Sequence, residues 1–564
     1  VPAGDSRVLW DIRLTNLADR PRALDAIPVV EYSHFDALKQ FNNADWVPQT
    51  MQSWAVSDGD HTVLAQCAFM KRGTNENYLA ASLPVSSFDS DRQVFLGDHE
   101  YGSWANPLSL QQAELSNSEA RRGDNIGALL IHLGALPPGR TARLIVQLGQ
   151  APRVADALPA IHRYRDPAAV DAAFQALADF WRDYLSALEV ETPDPAMNSM
   201  LNVHHPRQCQ ATKNWSRYLS LYQLGLGTRG IGFRDSAQDV LGVLAHMPTE
   251  AKALIRQLLH IQKRDGSAMH QLNPLTMEGQ MGDLVEQPDR PQYYSDDHLW
   301  IVLAVCAYLR ETGDFAFLEE AVPFYEKDRD GRPLETGTVL DHLRRAVAFT
   351  REDVGAHGLP LAGFADWNDT VNLPPGAESL FTAHLYGRAL LDLIELFEHR
   401  GDAATAAQYR ADYQAMSARV NAHAWDGAWY IRYFDHEGQP VGSRRNRHGQ
   451  IFANAQSWAV LSGFAPPDRA RTALDSLRER LNTSQGIKLS APGYNGFDPV
   501  FGGVSTYPPG AKENGGIFLH SNPWVIIAET MLGNGDRAYE YYAQINPAAK
   551  NDRIDVYEVE PYCY

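Results

Sequence analysis

The sequence predicts a mixed fold. Its parts are an N-terminal antiparallel β-sandwich over residues 1–165, a helical linker over 166–190 and an (α/α)6 barrel over 191–564. Three observations predict it. Trp10, Ile12 and Leu14 alternate with Asp11, Arg13 and Thr15, the period of a half-buried strand. After Pro167 the period changes, and Val170, Phe174, Leu177, Trp181, Leu185 and Leu188 recur at helical spacing. From about residue 191 onward, helical stripes alternate with long loops rich in glycine and aromatic residues.

In the first part, residues 143–148 form a second strand-like run after the turn Pro137-Pro138-Gly139. Short strands separated by polar loops are the signature of an antiparallel sandwich. In the last part, Leu254, Ile255, Leu258, Leu259 and Ile261 make one apolar stripe, and Leu390, Leu391, Ile394 and Phe397 make another. A helix through 404–421 is followed by Trp425-Asp426-Gly427-Ala428-Trp429-Tyr430. A ring of paired helices whose loops converge at one end accounts for this alternation. No exact short repeat is present, as expected of hairpins that share shape but not sequence.

Composition narrows the function. The 564 residues are 44% hydrophobic and 21% charged, ordinary for a globular protein. A formal net charge of −19 argues against nucleic acid and anionic membranes as partners. The apolar run 299–309 falls well short of the roughly eighteen residues of a membrane span and reads as a buried helix. Cys67, Cys209, Cys306 and Cys563 are far apart, which suits a reducing cytoplasm and not a disulfide framework. The chain begins at Val1 with strand-like sequence at once, so the sandwich is expected to be N-terminally incomplete.

Three segments are too polar, aromatic and glycine-rich for ordinary surface loops. The first holds Ser216-Arg217 and then the run Gly227 to Asp239, GTRGIGFRDSAQD. Its glycines allow close backbone approach to a ligand, while Arg and Asp supply directional hydrogen bonds to hydroxyls or phosphate. The second is Ala365-Asp366-Trp367-Asn368-Asp369-Thr370. There an indole offers a flat face to a sugar ring, and a carboxyl can protonate a glycosidic oxygen. The third is Tyr507-Pro508-Pro509-Gly510-Ala511-Lys512-Glu513-Asn514-Gly515-Gly516, with His520 beyond it. Each has a bland alternative: structural ion pairs, a turn or helix cap, and a satisfied histidine. His204-His205 and Asp296-Asp297-His298 lack a metal-ligand spacing, so no metal site is expected.

Taken together and in this order, the three segments resemble the phosphorylases of glycoside hydrolase family 94. The motifs RGxGFRDSxQD, DWND and YPPGxKENGG carry the resemblance, which runs from the start of the chain to Tyr564. It implies a β-sandwich, a helical linker, an (α/α)6 catalytic barrel, a C-terminal jelly roll and a homodimer. It also implies inverting phosphorolysis of a β-glucosyl disaccharide, with inorganic phosphate as co-substrate and no cofactor. By motif, Asp369 matches the general acid and Trp367 lies against the donor glucose. Arg229 and Asp235 match residues that hold donor hydroxyls, and Tyr507 and Lys512 line the cleft near the acceptor. Arg217 and His520 match phosphate ligands. An inverting hydrolase needs an acid and a base, whereas phosphate needs only the acid and cations to align it. Such an acid must be protonated at rest, and an apolar neighbour such as Trp367 would favour that.

Two departures from the family pattern stand out. The chain stops at Tyr564, about where the family continues with a Gln and a Thr-Gly pair of the phosphate site, so the barrel is expected to be C-terminally incomplete and the jelly roll absent. Cellobiose phosphorylases carry a Glu shortly before the tyrosine matching Tyr507, and here that position is Gly503. Loss of an acid favours an anionic acceptor. The sequence around Asp369 also looks closer to cellobionic acid phosphorylases, which makes 4-O-β-glucosyl-gluconate the leading substrate and cellobiose the second. Rival readings are an inverting hydrolase with Glu513 or Asp239 as base, and a non-catalytic glycan-binding barrel.

Overall fold

A computed structural model describes residues 1–2, 4–34, 37–68, 75–98, 102–215, 230–282 and 290–564. The chain divides into two compact units, Val1–Tyr184 and Leu185–Tyr564.

The first unit is built from two antiparallel sheets. One contains β1 (Arg7–Thr15), β4 (Met51–Asp58), β5 (His61–Ala68), β6 (Glu76–Ala81) and β9 (Thr141–Ala151), in the order β1-β9-β6-β5-β4. The other pairs β2 (Arg22–Ala26), β3 (Val29–Glu31) and β7 (Ser87–Asp91) with the long β8 (Asn125–Leu136). Leu64, Leu79, Leu144 and Val146 of the first sheet pack against Leu129 and Ile131 of β8 to make the core between the sheets. The strand expected at residues 143–148 is the middle of β9.

β1 follows the expected period, but its faces are used differently. Trp10 is 36% exposed, whereas Leu9 on the opposite face packs with Ile145, Tyr164 and Val170. The charged face is covered as well. Arg143 of β9 binds Asp11 at 2.8 Å, and it reaches Asp171 of the helix Pro167–Leu185 at 2.6 Å. Ion pairs fasten that helix to the sheet where the sequence pattern suggested open solvent.

The second unit is helical and has two layers. α1 (Phe233–Val243), α2 (Asp297–Thr312), α3 (Leu380–His399), α4 (Ala453–Leu461) and α5 (Asn522–Met531) neighbour one another in chain order. α2 and α3 are buried around most of their circumference, and residues 297–306 of α2 are buried without a break. Other helices cover them. Ala403–His423 packs on α3 and buries only Ala406, Tyr409, Met416 and Val420. The inner layer meets in an aromatic core: Trp300 of α2, Phe381 of α3, Trp458 of α4 and Trp524 of α5, with ring centroids 5.2–6.4 Å apart. The two apolar stripes read from the sequence lie on Pro248–Leu259 and on α3. Among the described residues, no helix is long and apolar enough to cross a membrane.

The segments leading into α1, α2, α3 and α5 gather at one end of the inner layer. Phe233 at the start of α1 donates its amide to His270 O at 2.8 Å, and Ser295 donates to Ala365 O at 3.0 Å. Gln238 of α1 meets His520, just before α5, at 2.9 Å. Helix N-termini drawn together in this way concentrate partial positive charge, a setting suited to anions.

Candidate active site

The 365–370 loop is shaped from within. Asp366 is fully buried and receives both arms of the equally buried Arg432, at 2.5 and 2.7 Å. Ser379 Oγ and Tyr433 Oη donate to the same carboxylate at 2.5 and 2.9 Å, and the Asn368 amide donates at 3.0 Å. Burial opposes the charge on Asp366, but the Arg432 guanidinium and these donors outweigh it and hold the carboxyl below its usual range. Arg432 also donates to Asn368 Oδ1 at 2.8 Å, so a single guanidinium fixes two of the four DWND side chains. The loop is brought to this place by Gly363, whose φ is +64°. A Cβ there would lie 2.6 Å from Tyr293 O.

Asp369 ends the run and is its exposed member, with a side chain 33% exposed. Its Oδ1 accepts a hydrogen bond from Arg234 at 3.0 Å. Arg234 lies in the first turn of α1 and is buried. It also donates to Trp367 O at 2.7 Å and to Asp366 O at 3.4 Å. Its Nε lies 3.1 Å from Asp296 and 3.5 Å from Asp297, both fully buried at the start of α2. Asp296 accepts from Trp300 Nε1 at 2.9 Å, and Asp297 pairs with His270 Nδ1 at 2.9 Å. Burial pushes the Asp296 carboxyl up, with Arg234 opposing and Asp297 reinforcing. Burial disfavours charge on His270 too, yet the Asp297 carboxylate holds the ring above its ordinary value. The sequence assigned Asp369 an apolar neighbour in Trp367; the group bonded to its carboxyl is instead a guanidinium.

The third segment is tied to the second by Glu513. Its Oε2 accepts from Thr370 Oγ1 at 2.7 Å and from Asn368 Nδ2 at 3.3 Å. Burial, together with the negative charge of Asp369, raises the Glu513 carboxyl above its usual range against those two hydrogen bonds. Asn514 fixes the base of the loop by donating to Tyr494 O and Tyr507 O at 2.8 and 2.7 Å. Lys512 adopts a left-handed backbone, φ 46°, and its ammonium sits 5.1 Å from the centre of the Tyr507 ring. Gly503 packs against Thr370, the residue after Asp369. A Cβ on it would lie 3.3 Å from both Thr370 Cβ and Thr370 O.

The residues expected at the site divide as follows. Asp369 and Trp367 share one loop, with Trp367 5% exposed and edge-on to Phe518 and Trp524, 5.5 and 5.2 Å away. His520 is exposed and lies 5.1 Å from the Trp367 ring. Asp235 occupies the first turn of α1 beside Arg234. Tyr507 and Lys512 stand together on the third loop. Arg217 and Arg229 lie outside the described residues. Among the described residues, no three His, Cys, Asp or Glu side chains converge on a metal site. Arg234, His270, Asp296, Asp297 and Arg432 were not identified from sequence. For Arg432 one signal existed: a lone cation in the otherwise apolar run Tyr430-Ile431-Arg432-Tyr433-Phe434.

Replacing Asp366 by Asn is expected to destabilise the helical unit by about 3–5 kcal/mol, because Arg432 then keeps a buried charge without its counter-ion. Denaturant unfolding of wild type and variant measures it. The folded-state carboxyl is held low, so its contribution is present above the ordinary carboxylate pKa of about 3.9. It is lost as pH falls through the folded-state value, and the difference between the two proteins should therefore shrink in strong acid.

Comparison with known proteins agrees with this architecture. Residues 1–167 match the glycosyl hydrolase 94 supersandwich domain, and residues 180–564 match the glycosyl hydrolase 94 superfamily catalytic domain. The chain is 32% identical over 583 residues to an N,N'-diacetylchitobiose phosphorylase of Vibrio furnissii, covering 100% of this chain and 71% of that one. It is 26% identical over 547 residues to a cellobionic acid phosphorylase of Neurospora crassa, covering 96% of this chain and 65% of the relative. A bacterial glucoamylase complexed with acarbose is similar in fold alone, with a TM-score of 0.56 at 11% identity over 88% of this chain and 68% of that one. The chain belongs to the glycosyl hydrolase 94 superfamily, carries both its supersandwich and its catalytic domain, and is an enzyme of that family.

Proposed function

We propose that the enzyme splits a β-linked disaccharide by single-step inverting phosphorolysis, with Asp369 as the acid. One observation carries the reading: Asp369 is the part-exposed carboxyl at the end of the run 366–369, whose other polar side chains, Asp366 and Asn368, are buried and tied down, and Arg234 aims it. A phosphate oxygen attacks the anomeric carbon from the face opposite the leaving group. As the new C–O bond forms the glycosidic C–O bond breaks, and the leaving oxygen takes the Asp369 proton. The products are an α-sugar 1-phosphate and the free acceptor. Phosphate is a co-substrate here, and no cofactor enters the step.

In this reading Arg229 and Asp235 hold donor hydroxyls, Trp367 backs the donor ring, and Tyr507 and Lys512 border the acceptor. His520 and Arg217 bind phosphate, supported for His520 by its place beside the start of α5. Glu513 is a poor candidate for a hydrolytic base, since its Oε2 already bridges Thr370 and Asn368. The two helical layers are proposed to close as an (α/α)6 barrel over 191–564, with 166–190 as linker and 1–165 as sandwich. A homodimer in the cytoplasm follows from the same family resemblance. The four free cysteines suit that compartment.

The leading substrate remains 4-O-β-glucosyl-gluconate, supported by the absence of an acid at Gly503 and by the cationic Lys512. A second reading, β-linked N-acetylglucosamine, is supported by the 32% identity to the Vibrio furnissii protein.

In phosphate-free buffer, cleavage by the enzyme should fall to background. With phosphate, proton NMR should show the α-anomer of the sugar 1-phosphate; equal cleavage without phosphate would point to a hydrolase. Asp369→Asn should lower turnover by about 10²–10⁴-fold while circular dichroism stays unchanged; wild-type activity would remove Asp369 from the mechanism. Supplied with glucose 1-phosphate or N-acetylglucosamine 1-phosphate and a panel of acceptors, the enzyme should release most phosphate with the glucose donor and gluconate. A preference for the N-acetylated pair would establish the second reading.

A further inference from the structure

Asp369 is backed by a cluster of buried charges. Arg234 and His270 supply two positive groups, Asp296 and Asp297 two negative ones, and all four side chains are buried. The guanidinium is the hub. It reaches Asp369 Oδ1, Trp367 O and Asp366 O on one side and the carboxylate pair on the other. Each part of the cluster is fixed by its own element. Asp296 is held by Trp300 Nε1 one helical turn further along α2. His270 is stacked on Tyr294 with centroids 3.7 Å apart. The start of α1 hangs from His270 O.

An arginine against a general acid poses a physical problem. A guanidinium can aim a carboxyl well, but a bare positive charge at hydrogen-bond distance favours the ionised form, and that form has no proton to give. The paired carboxylates answer it. Asp297, paired with His270, and Asp296, whose carboxyl burial pushes up, both lie on the far side of the guanidinium and offset its charge. Arg234 then directs Asp369 by geometry while its charge is spent on Asp296 and Asp297. We infer that Arg234, with Asp296 and Asp297 behind it, is the positioning device of the acid: the guanidinium orients Asp369, and the carboxylate pair lets it keep its proton. This rests on the phosphorolytic reading, in which Asp369 protonates the leaving oxygen. The charged groups facing Asp369 are Arg234 from α1, Asp296 and Asp297 from the start of α2, His270 from the segment before α2, and Glu513 from the third loop.

The test compares wild type with Asp297→Asn in the full chain, with phosphate, across pH. It uses two substrates: the disaccharide, and a dinitrophenyl β-glycoside of the same donor sugar, whose leaving group departs without a proton. Asp297→Asn removes the carboxylate 3.5 Å from Arg234 Nε and, with it, the group that holds the proton on His270. The guanidinium, which bonds Asp369 directly, is left less neutralised, so Asp369 should lose its proton at lower pH. The alkaline limb of kcat for the disaccharide should move down by about one pH unit. On that alkaline limb, kcat for the disaccharide at a given pH should drop by up to about tenfold, the most that a one-unit shift allows. The KM values for disaccharide and phosphate, and kcat for the dinitrophenyl glycoside, should stay within about twofold of wild type. Asp297→Glu, which restores the charge, should recover part of the loss.

Equal losses on both substrates, or an alkaline limb that does not move, would overturn the inference. Should Asp297→Asn not fold, Arg234→Lys takes its place, keeping the charge and losing the fork. It should impair the disaccharide selectively, and an equal effect on both substrates counts against the inference. If wild type cleaves the disaccharide without phosphate, the functional reading fails by itself, and the contrast between leaving groups is then read on hydrolysis.

Discussion

Arg432 is fully buried and closes a two-armed pair on Asp366, with Ser379 and Tyr433 completing the carboxylate's shell. Removing two charges from water is costly, and a buried pair is seldom a net source of stability. Its effect here is on shape. A loop that must present one carboxyl at its end, and keep the preceding residues out of the way, needs internal bonds that a hydrophobic contact cannot direct. Arg432 supplies them to Asp366 and Asn368, Arg234 supplies them to the carbonyls between, and Asp369 is the side chain left at the surface. The aromatic core beneath, with Trp300, Trp458 and Trp524 in edge and offset contacts, gives these polar bonds a rigid floor.

Much of this was legible in the sequence because it is periodic or chemically unusual. Two strands of the sandwich, β1 and β9, the buried helix through 299–309 and the apolar stripes near 254–261 and 390–397 follow from spacing alone. The three motif loops were visible because glycine, tryptophan and charge rarely crowd together in an ordinary loop. What was not legible is what the charges bind. Arg234 stands within a motif whose other charged members suggested ligand contacts, and nothing local distinguishes a guanidinium that faces a sugar from one that faces two buried aspartates. Asp296-Asp297-His298 invited a metal because acidic and histidine side chains look alike in a string. In the fold Asp296 and Asp297 turn toward Arg234, while His298 turns away to Thr350 Oγ1 at 2.7 Å. On β1, alternation tells which residues share a side, and Ile12 does pack against the core, but it does not tell that Asp171 waits on the charged side.

The bridge through Glu513 ties the third loop to the one that carries the acid, and Gly503 lies against Thr370 from the same direction. The two loops are therefore not independent parts. On the proposed reading, redesigning the 500–516 segment to admit a new acceptor also alters the mount of the proton donor, and selection for substrate range alone will tend to return slow catalysts. Libraries that vary Thr370 and Asn368 together with 503 and 513 sample the joint as one unit.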